Sequence, residues 1–487
     1  MDEDIHSRYK LPTISLVTDA YFLFDPLIGI YYAENAENRG EKWERPAHLE
    51  YFGVGGLPSY AKSTDIRLNG EWTRQYPQKS LRLYAEVDYE SGDQFTFDFF
   101  GNEKWGAGID LLILRNSGQD WYRALMRDAL VQNLATQIDL DTQAQRPVVV
   151  FINGEYWGIH LLVESYNENY FTRHYEVDPE NLVALEYQGM LRIGEDEDAE
   201  NYRAKLEDLH SMDPMDAKTF TAISDWMDLD NFIDYQVLEI YSANWDWPTN
   251  DISYWRAKNP DGLNGVNEHL DGRWRWLVQD VDAGFLSADY KSLEPAISEA
   301  NYLLKWMLQN PGFREQFLKR FADLLNSTFT SAHVILEINN FEARLDPEME
   351  EHIQRWRFPY GNVEHWYTEV DQLRSFAQEQ PAKMRKMLVN YFRLAGIAQL
   401  KVEADQTQGY IHVNSLEIQA REIGVETPGQ WEGIYFMDVP ITLSAHPREG
   451  YRFSHWEGEG FEGETEARIT LRLDGDLSIR AVFTEGD

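Results

Sequence analysis

The first part of the chain alternates apolar and polar residues in short runs. Between about Lys10 and Glu90 these runs include ISLVTD, DIRLNG and SLRLYAE, and turn-forming residues separate them. A period of two places every second side chain on one face, which is typical of half-buried β-strands. A helical spacing follows in WYRALMRDALVQNLA, where Leu125, Leu130 and Leu134 share a face. The pattern predicts a sheet with one helix packed against it.

Two hairpins are predicted further along the chain. The run RPVVVFINGEYWGIHLLVES has apolar stretches on either side of Asn153-Gly154, a dipeptide that favours a two-residue hairpin turn. A second strand pair, DISYWRAK and RWRWLVQD, flanks the turn-rich segment NPDGLNGVNEHLDG.

Helical periodicity predominates around the second hairpin. We expect residues 178–242 to be mostly helical and interpret their acidic run, GEDEDAEN, as a solvated loop. Residues 301–395 are also predicted to be helical, with EQFLKRFADLLN as an amphipathic example.

Near Leu400 the pattern changes to short alternating runs with frequent glycine, which predicts a small all-β module. The run GYRFSHW resembles the GY-x-F-x-x-W core of a bacterial surface repeat that is appended to many exported proteins. Its counterparts here are Gly450, Tyr451, Phe453 and Trp456. We expect these aromatic side chains to form the core of the module rather than a ligand site.

Length and composition limit the classes of protein to consider. A chain of 487 residues exceeds what one hydrophobic core usually supports, so a large domain with a satellite is expected. No run approaches the roughly 20 apolar residues of a membrane-spanning helix. The first residues, MDEDIHSRYKLP, are too polar for a secretory signal.

The net charge of −39, from 44 basic and 83 acidic residues, argues against binding to nucleic acid or to an anionic membrane. A solvated acidic surface explains most of this charge, and a cationic substrate or a divalent metal is the alternative. The absence of cysteine excludes disulfides and thiolate chemistry. It fits an exported or surface protein whose signal is absent from this chain, with a cytoplasmic location as the alternative.

Common nucleotide-binding and hydrolase motifs are missing, including G-x-x-x-x-G-K-[ST], G-x-S-x-G and H-E-x-x-H. What remains is a concentration of carboxylates and amides beside tryptophans, NWDWPTND, at residues 244–251. Phosphoryl transfer requires a carboxylate to accept a hydroxyl proton and oxygen ligands for Mg²⁺. Protein kinases arrange these as an Asp, an Asn, a hairpin and a second Asp.

The same order occurs here. Asp246 precedes Asn250 and Asp251, and the second hairpin leads to QDVDAGF with Asp280 and Asp282. From spacing alone, an alternative is that Asp246 and Asn250 only cap a turn.

Six phrases together resemble the spore coat protein H (CotH) kinase family, in the order YPQKSLRLY, LILRNSGQDW, MRDAL, RPVVVFINGEYWGIHLLVE, NWDWPTND and WRWLVQDVDAGF. The resemblance extends from about Pro12 to Arg393. It implies an α+β chain with an atypical protein-kinase-like two-lobed fold and a small all-β C-terminal domain. The implied divisions are a β-rich lobe with one key helix at 1–165, a mainly helical lobe at 166–397 and the β module at 398–487.

The resemblance also implies roles for the acidic residues. Asp246 would be the catalytic proton acceptor, and Asp280 would be the principal metal ligand. Asp282 is the competing ligand, because DAG resembles the D-F-G turn of kinases and both aspartates lie on one side of an extended strand. Asn250 or Asp251 would supply a further ligand. Asp251 stands where the family more often has Asn, and its carboxylate would tighten cation binding while repelling phosphate.

Further residues are implied for nucleotide binding. Lys79, at the head of the strand SLRLYAE, would contact phosphate, although a lysine that protects an edge strand is the alternative. Arg74 and Arg115 are weaker candidates for phosphate contact. Asp128 could orient Lys79, or it could simply be solvated on its helix.

An adenine ring needs an apolar slot. Trp274 and Tyr156 are the candidates for its walls, with ordinary core packing as the alternative for each. Glu164 stands where kinases have the hinge between the lobes. A glycine-rich phosphate loop is replaced by LNGEWTRQYPQKS, in which Gly70 is alone.

The sequence therefore predicts an enzyme that uses ATP and Mg²⁺ or Mn²⁺ to phosphorylate a hydroxyl, most simply on Ser or Thr of an exported, spore or surface protein. One alternative is a small polyol or inositol-type acceptor. Another is a non-catalytic surface-binding scaffold, against which the retention of Lys79, Asp246 and Asp280 argues.

Overall fold

A computed structural model describes residues 8–57, 59–86, 92–101, 106–259, 268–356 and 361–486. Helices and sheets are mixed through most of the chain, and the last strands form an all-β region, as the sequence predicts. No helix in these described residues is both long enough and apolar enough to cross a membrane.

The first seven strands form a closed barrel in the order β1-β2-β3-β4-β5-β7-β6. They are β1 (Thr13–Val17), β2 (Arg45–Phe52), β3 (Ser59–Asn69), β4 (Ser80–Ala85), β5 (Leu111–Arg115), β6 (Gln145–Ile152) and β7 (Glu155–Glu164). A parallel pairing of β1 with β6 closes the barrel, whereas the other neighbours are antiparallel. The apolar members of the alternating runs fill the interior, including the fully buried Leu16, Leu49 and Leu83.

Closure of the barrel corrects one expectation. Because β4 pairs with both β3 and β5, it is an interior strand, and Lys79 just before it does not protect a sheet edge. The β6–β7 hairpin is confirmed, and Asn153 and Gly154 at its turn have φ angles of 52° and 81°. Positive φ at both positions is what a type I′ turn requires.

Two helices accompany the barrel, α1 (Ala20–Phe24) and α2 (Arg127–Thr136). The predicted helix around Leu125 begins later than its spacing indicated, since Leu125 itself has a φ of 62°. The carboxylate of Asp120 accepts hydrogen bonds from the backbone N–H groups of Ala124, Met126 and Arg127, which holds the chain in a turn before the helix.

A second sheet has the order β11-β10-β8-β9. Its strands are β8 (Leu182–Glu186), β9 (Met190–Ile193), β10 (Ser253–Ala257) and β11 (Arg275–Leu277). The antiparallel pairing of β10 with β11 confirms the second hairpin, whose connection lies partly outside the described residues. The strands β8 and β9 fall where mostly helix was expected.

The other α-helices of the described residues follow β7 along the chain. They are α3 (Glu168–Tyr175), α4 (Asp196–Ser211), α5 (Ala217–Ser224), α6 (Leu229–Ser242), α7 (Leu293–Ala296), α8 (Tyr302–Met307), α9 (Pro311–Leu325), α10 (Ser331–Arg355) and α11 (Val363–Phe392). The helices after residue 301 agree with the prediction.

The interpretation of GEDEDAEN as a solvated loop is wrong, because this run begins α4. Glu195 and Asp198 form a capping box there, in which each side chain accepts from the other residue's backbone N–H. Acidic residues in a first helical turn also interact favourably with the helix dipole. The acidic run is thus a helix start.

The C-terminal region consists of two four-stranded sheets, β15-β12-β19-β17 and β14-β13-β16-β18. Its strands are β12 (Ile397–Ala404), β13 (Gly409–Val413), β14 (Leu416–Ile418), β15 (Gln430–Phe436), β16 (Ile441–Pro447), β17 (Tyr451–Gly458), β18 (Arg468–Leu471) and β19 (Leu477–Glu485). Trp456 is fully buried, while Tyr451 and Phe453 are half-buried. The tryptophan is therefore a core residue, as expected.

Candidate active site

The loop from Asn244 to Asp251 follows α6, which ends with Ala243 in the left-handed conformation. Within the loop, Asn250 Nδ2 donates to Asp246 Oδ1 at 2.6 Å. The backbone oxygen of Asp246 accepts from the Thr249 hydroxyl at 2.9 Å. The loop thereby fixes the Asp246 carboxylate. This contact is the turn that the capping alternative predicted, and it leaves the Asp246 Oδ2 atom for a further partner.

Asp280 and Asp282 lie after β11 and converge on Arg115, the last residue of β5. Arg115 Nη2 donates to Asp280 Oδ1, and it also donates to Asp282 Oδ2 at 2.6 Å. The two aspartates meet for a reason other than the predicted extended strand, because Asp280 has a φ of 49°. The Asp280 side chain is 46% exposed and that of Asp282 only 3%.

A tight loop after β5 connects these groups. The N–H of Gln119 donates to Asp282 Oδ2 at 3.0 Å, while its side-chain Nε2 donates to Asp246 Oδ2 at 3.3 Å. Gln119 therefore links the catalytic candidate to the metal-ligand candidate. The loop comes from the barrel, whereas both aspartates come from the later part of the chain.

Gly118 makes this close approach possible. It has a φ of 58°, and a Cβ atom at this position would lie 1.9 Å from Asp282 Oδ2. No side chain fits there without displacing the aspartate. The prediction did not include Gly118 or Gln119, although both lie in the phrase LILRNSGQDW; a glycine within a polar turn was the available signal.

Asp246, Asp251, Asp280, Asp282 and Arg115 form one cluster, in which burial and neighbouring charges shift the pKa of Asp251, Asp282 and Arg115. Burial, followed by the charges of Asp280 and Asp246, raises the pKa of Asp251 to about 8. Burial and the charge of Asp280 raise the pKa of Asp282 well above its ordinary value. Burial alone would lower the pKa of Arg115, but the neighbouring carboxylates raise it. Such perturbation is common in functional sites.

The donor chemistry of this cluster fits a divalent cation. Carboxylate and amide oxygens are the ligands that Mg²⁺ and Mn²⁺ prefer, and the four carboxylates outnumber the single guanidinium of the cluster. In the part of the chain that the structure describes, however, no group of three or more His, Asp or Glu side chains is arranged to hold a metal ion. The Arg115 guanidinium lies between Asp280 and Asp282 instead.

The side chain of Lys79 contacts groups outside the aspartate cluster. Its ammonium group donates to the carbonyl oxygens of Arg74 and Tyr76 and stands 5.8 Å from the ring centroid of Tyr31. Burial lowers its pKa. The predicted partner Asp128 does not orient it, because that carboxylate accepts from Val281 N at 3.1 Å and from a glutamine side chain. The structure thus shows the ammonium group bonded to carbonyl oxygens, and a contact between Lys79 and phosphate stays a prediction.

Arg74 likewise bonds to backbone groups, and its contact with phosphate stays a prediction. Its guanidinium donates to the carbonyl oxygens of Ala36, Asn38, Leu68 and Gly70. Its donors are thus occupied in holding two loops together. Arg115 is the arginine that the structure brings to the aspartates.

The two candidates for an adenine slot are packed in the interior. Trp274 is 1% exposed and makes edge contacts with Tyr202 and Tyr254 at centroid distances of 5.1 and 5.4 Å. Tyr156 stacks on Tyr9 at 6.2 Å. Both positions agree with ordinary core packing, which is the alternative interpretation of each residue.

Glu164 ends β7, immediately before the chain leaves the barrel for α3. Its buried carboxylate pairs with Arg173 and with the His174 Nε2 atom at 3.1 Å. Although burial opposes ionisation, these two partners lower the pKa of Glu164. Its side chain therefore fastens α3 to the barrel, and a hinge role for its backbone stays a prediction.

Comparison with known proteins identifies two segments. Residues 415–487 match the family described as a divergent InlB B-repeat domain. One curated relative is the "Spore coat protein homolog 1" of Rhizopus delemar, with 24% identity over 168 residues, which is 32% of this chain and 26% of that protein. The chain thus matches about a quarter of the length of this relative.

The larger segment, residues 66–384, matches the family described as CotH kinase protein. This match contains the barrel strands from β4 onward, the tight loop of Gln119 and all four aspartates of the cluster. It covers well over half of the sequence. The chain belongs to the CotH kinase protein family.

Proposed function

We propose that this chain is a kinase that transfers the γ-phosphoryl group of ATP to a hydroxyl, with Mg²⁺ or Mn²⁺ as cofactor. The observation that carries the proposal is the convergence of Asp246, Asp280 and Asp282 on two residues of the barrel, Arg115 and Gln119. Membership of a family described as kinase supports it. In this proposal the barrel and the following helical part correspond to the two lobes of an atypical protein kinase.

Asp246 acts as the proton acceptor. Its carboxylate receives hydrogen bonds from Asn250 and Gln119, which orient it toward the cluster. The acceptor oxygen attacks the γ-phosphorus as its proton passes to Asp246, and the bond from that phosphorus to the β–γ bridging oxygen breaks. ADP leaves with the electron pair of that bond. Positioning and electrostatic stabilisation supply most of the rate in such transfers.

Asp280 and Asp282 would hold the divalent ion, with Asn250 or Asp251 as a further ligand. The ion neutralises phosphate charge and orients the transferred group. Asp280, the more exposed of the pair, remains the first candidate, and the Gln119 N–H positions Asp282. Cation binding would favour ionisation of Asp251, whose pKa is about 8 in this structure.

Arg115 would contact the phosphates. Its planar guanidinium suits bidentate recognition of phosphate oxygens. With Asp280 and Asp282 engaged as metal ligands, the Nη2 donor of Arg115 would be available for such contacts. In this role Arg115 would be the main cation of the aspartate cluster.

The acceptor proposed is Ser or Thr on an exported or surface protein. The surface-repeat resemblance of residues 415–487 and the spore coat name of the fungal relative support this setting. Supplying labelled ATP with either casein or inositol tests the acceptor class. Label in inositol but never in protein would favour the polyol alternative.

The central test uses Asp246→Asn and Asp280→Ala, with Asp208→Asn on the exposed face of α4 as a matched control. ADP formation and self-phosphorylation are measured with Mn²⁺, and thermal unfolding reports the fold. Each site variant should lose at least about a hundredfold in rate, because groups of this kind contribute several powers of ten. A site variant with the control's rate would remove that residue from the mechanism, and a wild-type chain without turnover would support a scaffold.

A further inference from the structure

A cavity of about 760 Å³ opens beside the loop that carries Asp246. We name it the lateral cavity and define it by Tyr187, Leu206, Pro248, Trp276, Glu299 and Tyr302, which are among its lining residues. Its volume falls within the range of about 300 to 1,000 Å³ that is typical of ligand sites. None of the groups assigned to the proposed reaction uses this space.

The lateral cavity lies directly beside the Asp246 loop. Pro248 and Thr249 line it, and the Thr249 hydroxyl donates to the backbone oxygen of Asp246. The Asp246 carboxylate instead faces Gln119 of the barrel. All of the described lining residues fall between positions 187 and 303, so the barrel contributes none of them. A ligand here would therefore contact the Asp246 loop and not the barrel.

The walls of the cavity are mainly apolar and aromatic. Tyr202 and Tyr254 stack at a centroid distance of 4.9 Å, and Phe232 meets Trp276 at 4.7 Å. These four side chains are buried in mutual contacts, so the wall is rigid. A rigid aromatic wall favours an apolar or aromatic group, with little ordering cost on binding.

Polar groups also line the cavity, and two of them, Glu207 and His210, belong to the C-terminal end of α4. Glu207 and Glu299 lie on the rim, and His210 packs 3.8 Å from the ring centroid of Tyr302. The buried Nε2 atom of His210 has no hydrogen-bond partner among the described residues. A ligand with both an apolar side chain and a polar backbone would satisfy this end and fill the apolar part.

We propose that the lateral cavity binds an apolar or aromatic side chain of a peptide acceptor, close in sequence to the hydroxyl that Asp246 activates. This inference rests on the proposed kinase function and names the part of the acceptor that gives specificity. The mainly apolar wall favours a peptide side chain over a polyol, whose hydroxyls would lack partners there.

The test uses seven-residue peptides with a central serine, alanine elsewhere and one phenylalanine moved through the other positions. Leu206→Trp fills the cavity from α4. Ala204→Trp adds the same ring to an exposed position of the same helix as the control. Binding is measured by saturation-transfer NMR and calorimetry, and phosphate transfer by labelled ATP, so binding is observed whether or not the protein turns over ATP.

We expect at least one phenylalanine position to tighten binding about tenfold over the all-alanine peptide, and to raise kcat/KM similarly. Leu206→Trp should abolish this preference, and Ala204→Trp should keep it. If the peptides show this binding preference but the protein does not turn over ATP, the kinase proposal is refuted and the cavity is a peptide-binding site. Equal binding of all peptides, a preference unchanged by Leu206→Trp, or inositol binding that Leu206→Trp removes would each overturn the inference.

Discussion

At the residue scale, the site depends on two groups that carry no obvious catalytic chemistry. Gly118 leaves room for Asp282, and Gln119 joins Asp282 to Asp246 through its backbone and its side chain. Arg115 balances part of the negative charge. The aspartates are therefore held by a loop whose conformation a single methyl group would disturb.

Gly118→Ala tests this dependence. The added Cβ would clash with Asp282, so we expect phosphoryl transfer to fall at least tenfold and stability to fall by about 1 to 3 kcal/mol. ADP formation and thermal unfolding measure the two effects. Gly154→Ala is a matched control, because Gly154 also has a positive φ but would place its Cβ in open space. If both substitutions lower phosphoryl transfer equally, backbone strain at a positive φ, and not the clash with Asp282, would account for the effect.

At the element scale, a buried acid joins the two sheets. Asp141 pairs with Leu277 of β11 in an isolated parallel bridge, and its backbone oxygen accepts from Val278 N at 3.0 Å. Its side chain accepts from Trp255 Nε1 of β10 at 2.7 Å and from the Tyr175 hydroxyl of α3. One residue thus ties the barrel side of the molecule to β10, β11 and α3.

Asp141 predicts a pH dependence of stability. Burial raises its pKa to about 7, so the folded state retains a proton that the unfolded chain releases near pH 4. Its contribution is complete below about pH 4 and is lost as pH rises through about 7. For Asp141→Asn, we expect the decline in unfolding free energy between about pH 5 and 8 to shrink by about 2 to 3 kcal/mol.

Denaturant unfolding at these two pH values measures the difference. The neutral amide keeps the shape of the side chain but does not titrate. An Asn variant whose stability falls with pH as steeply as that of the wild type would assign the decline to other groups. Asp19→Asn, at the exposed start of α1, serves as the control.

At the scale of the whole molecule, the C-terminal β region is docked on the helical part. Asp323 of α9 is buried there and accepts from Asn414 Nδ2, from the backbone and hydroxyl of Ser415, and from the Tyr435 hydroxyl. Asn326 adds a second contact, since its side chain donates to Ile434 O at 2.9 Å and accepts from Ile434 N. These bonds fix the region's orientation.

Asp323→Ala should release this docking. It removes the acceptor for four hydrogen bonds and leaves buried donors unpaired, which costs about 2 to 4 kcal/mol. We expect faster proteolysis between residues 393 and 397, measured by timed digestion and mass spectrometry. Arg314→Ala, on the exposed face of the same helix, should match the wild type. If Asp323→Ala is digested at the wild-type rate, apolar contacts are sufficient to hold the C-terminal β region on the helical part.

The sequence by itself determined the local elements. Alternation marked the barrel strands between about Lys10 and Glu90, Asn153-Gly154 marked the last hairpin of the barrel, and a period of 3.6 marked the helices after residue 301. The change near Leu400 to short alternating runs with frequent glycine marked the β region. These signals are local because strand and helix periods are properties of neighbouring residues. The resemblance of six phrases also indicated the family that the comparison confirms.

Only the tertiary structure decided where the polar side chains point. The turn before β4 brought the Lys79 ammonium to two carbonyl groups, and packing buried Trp274, whereas Arg115 came to lie between two aspartates more than 160 positions later. Long-range contacts and positive φ angles, as at Asp280 and Gly118, leave no periodic trace in a sequence. The direction of a side chain at such positions depends on loops and sheet closure, which the local pattern does not encode.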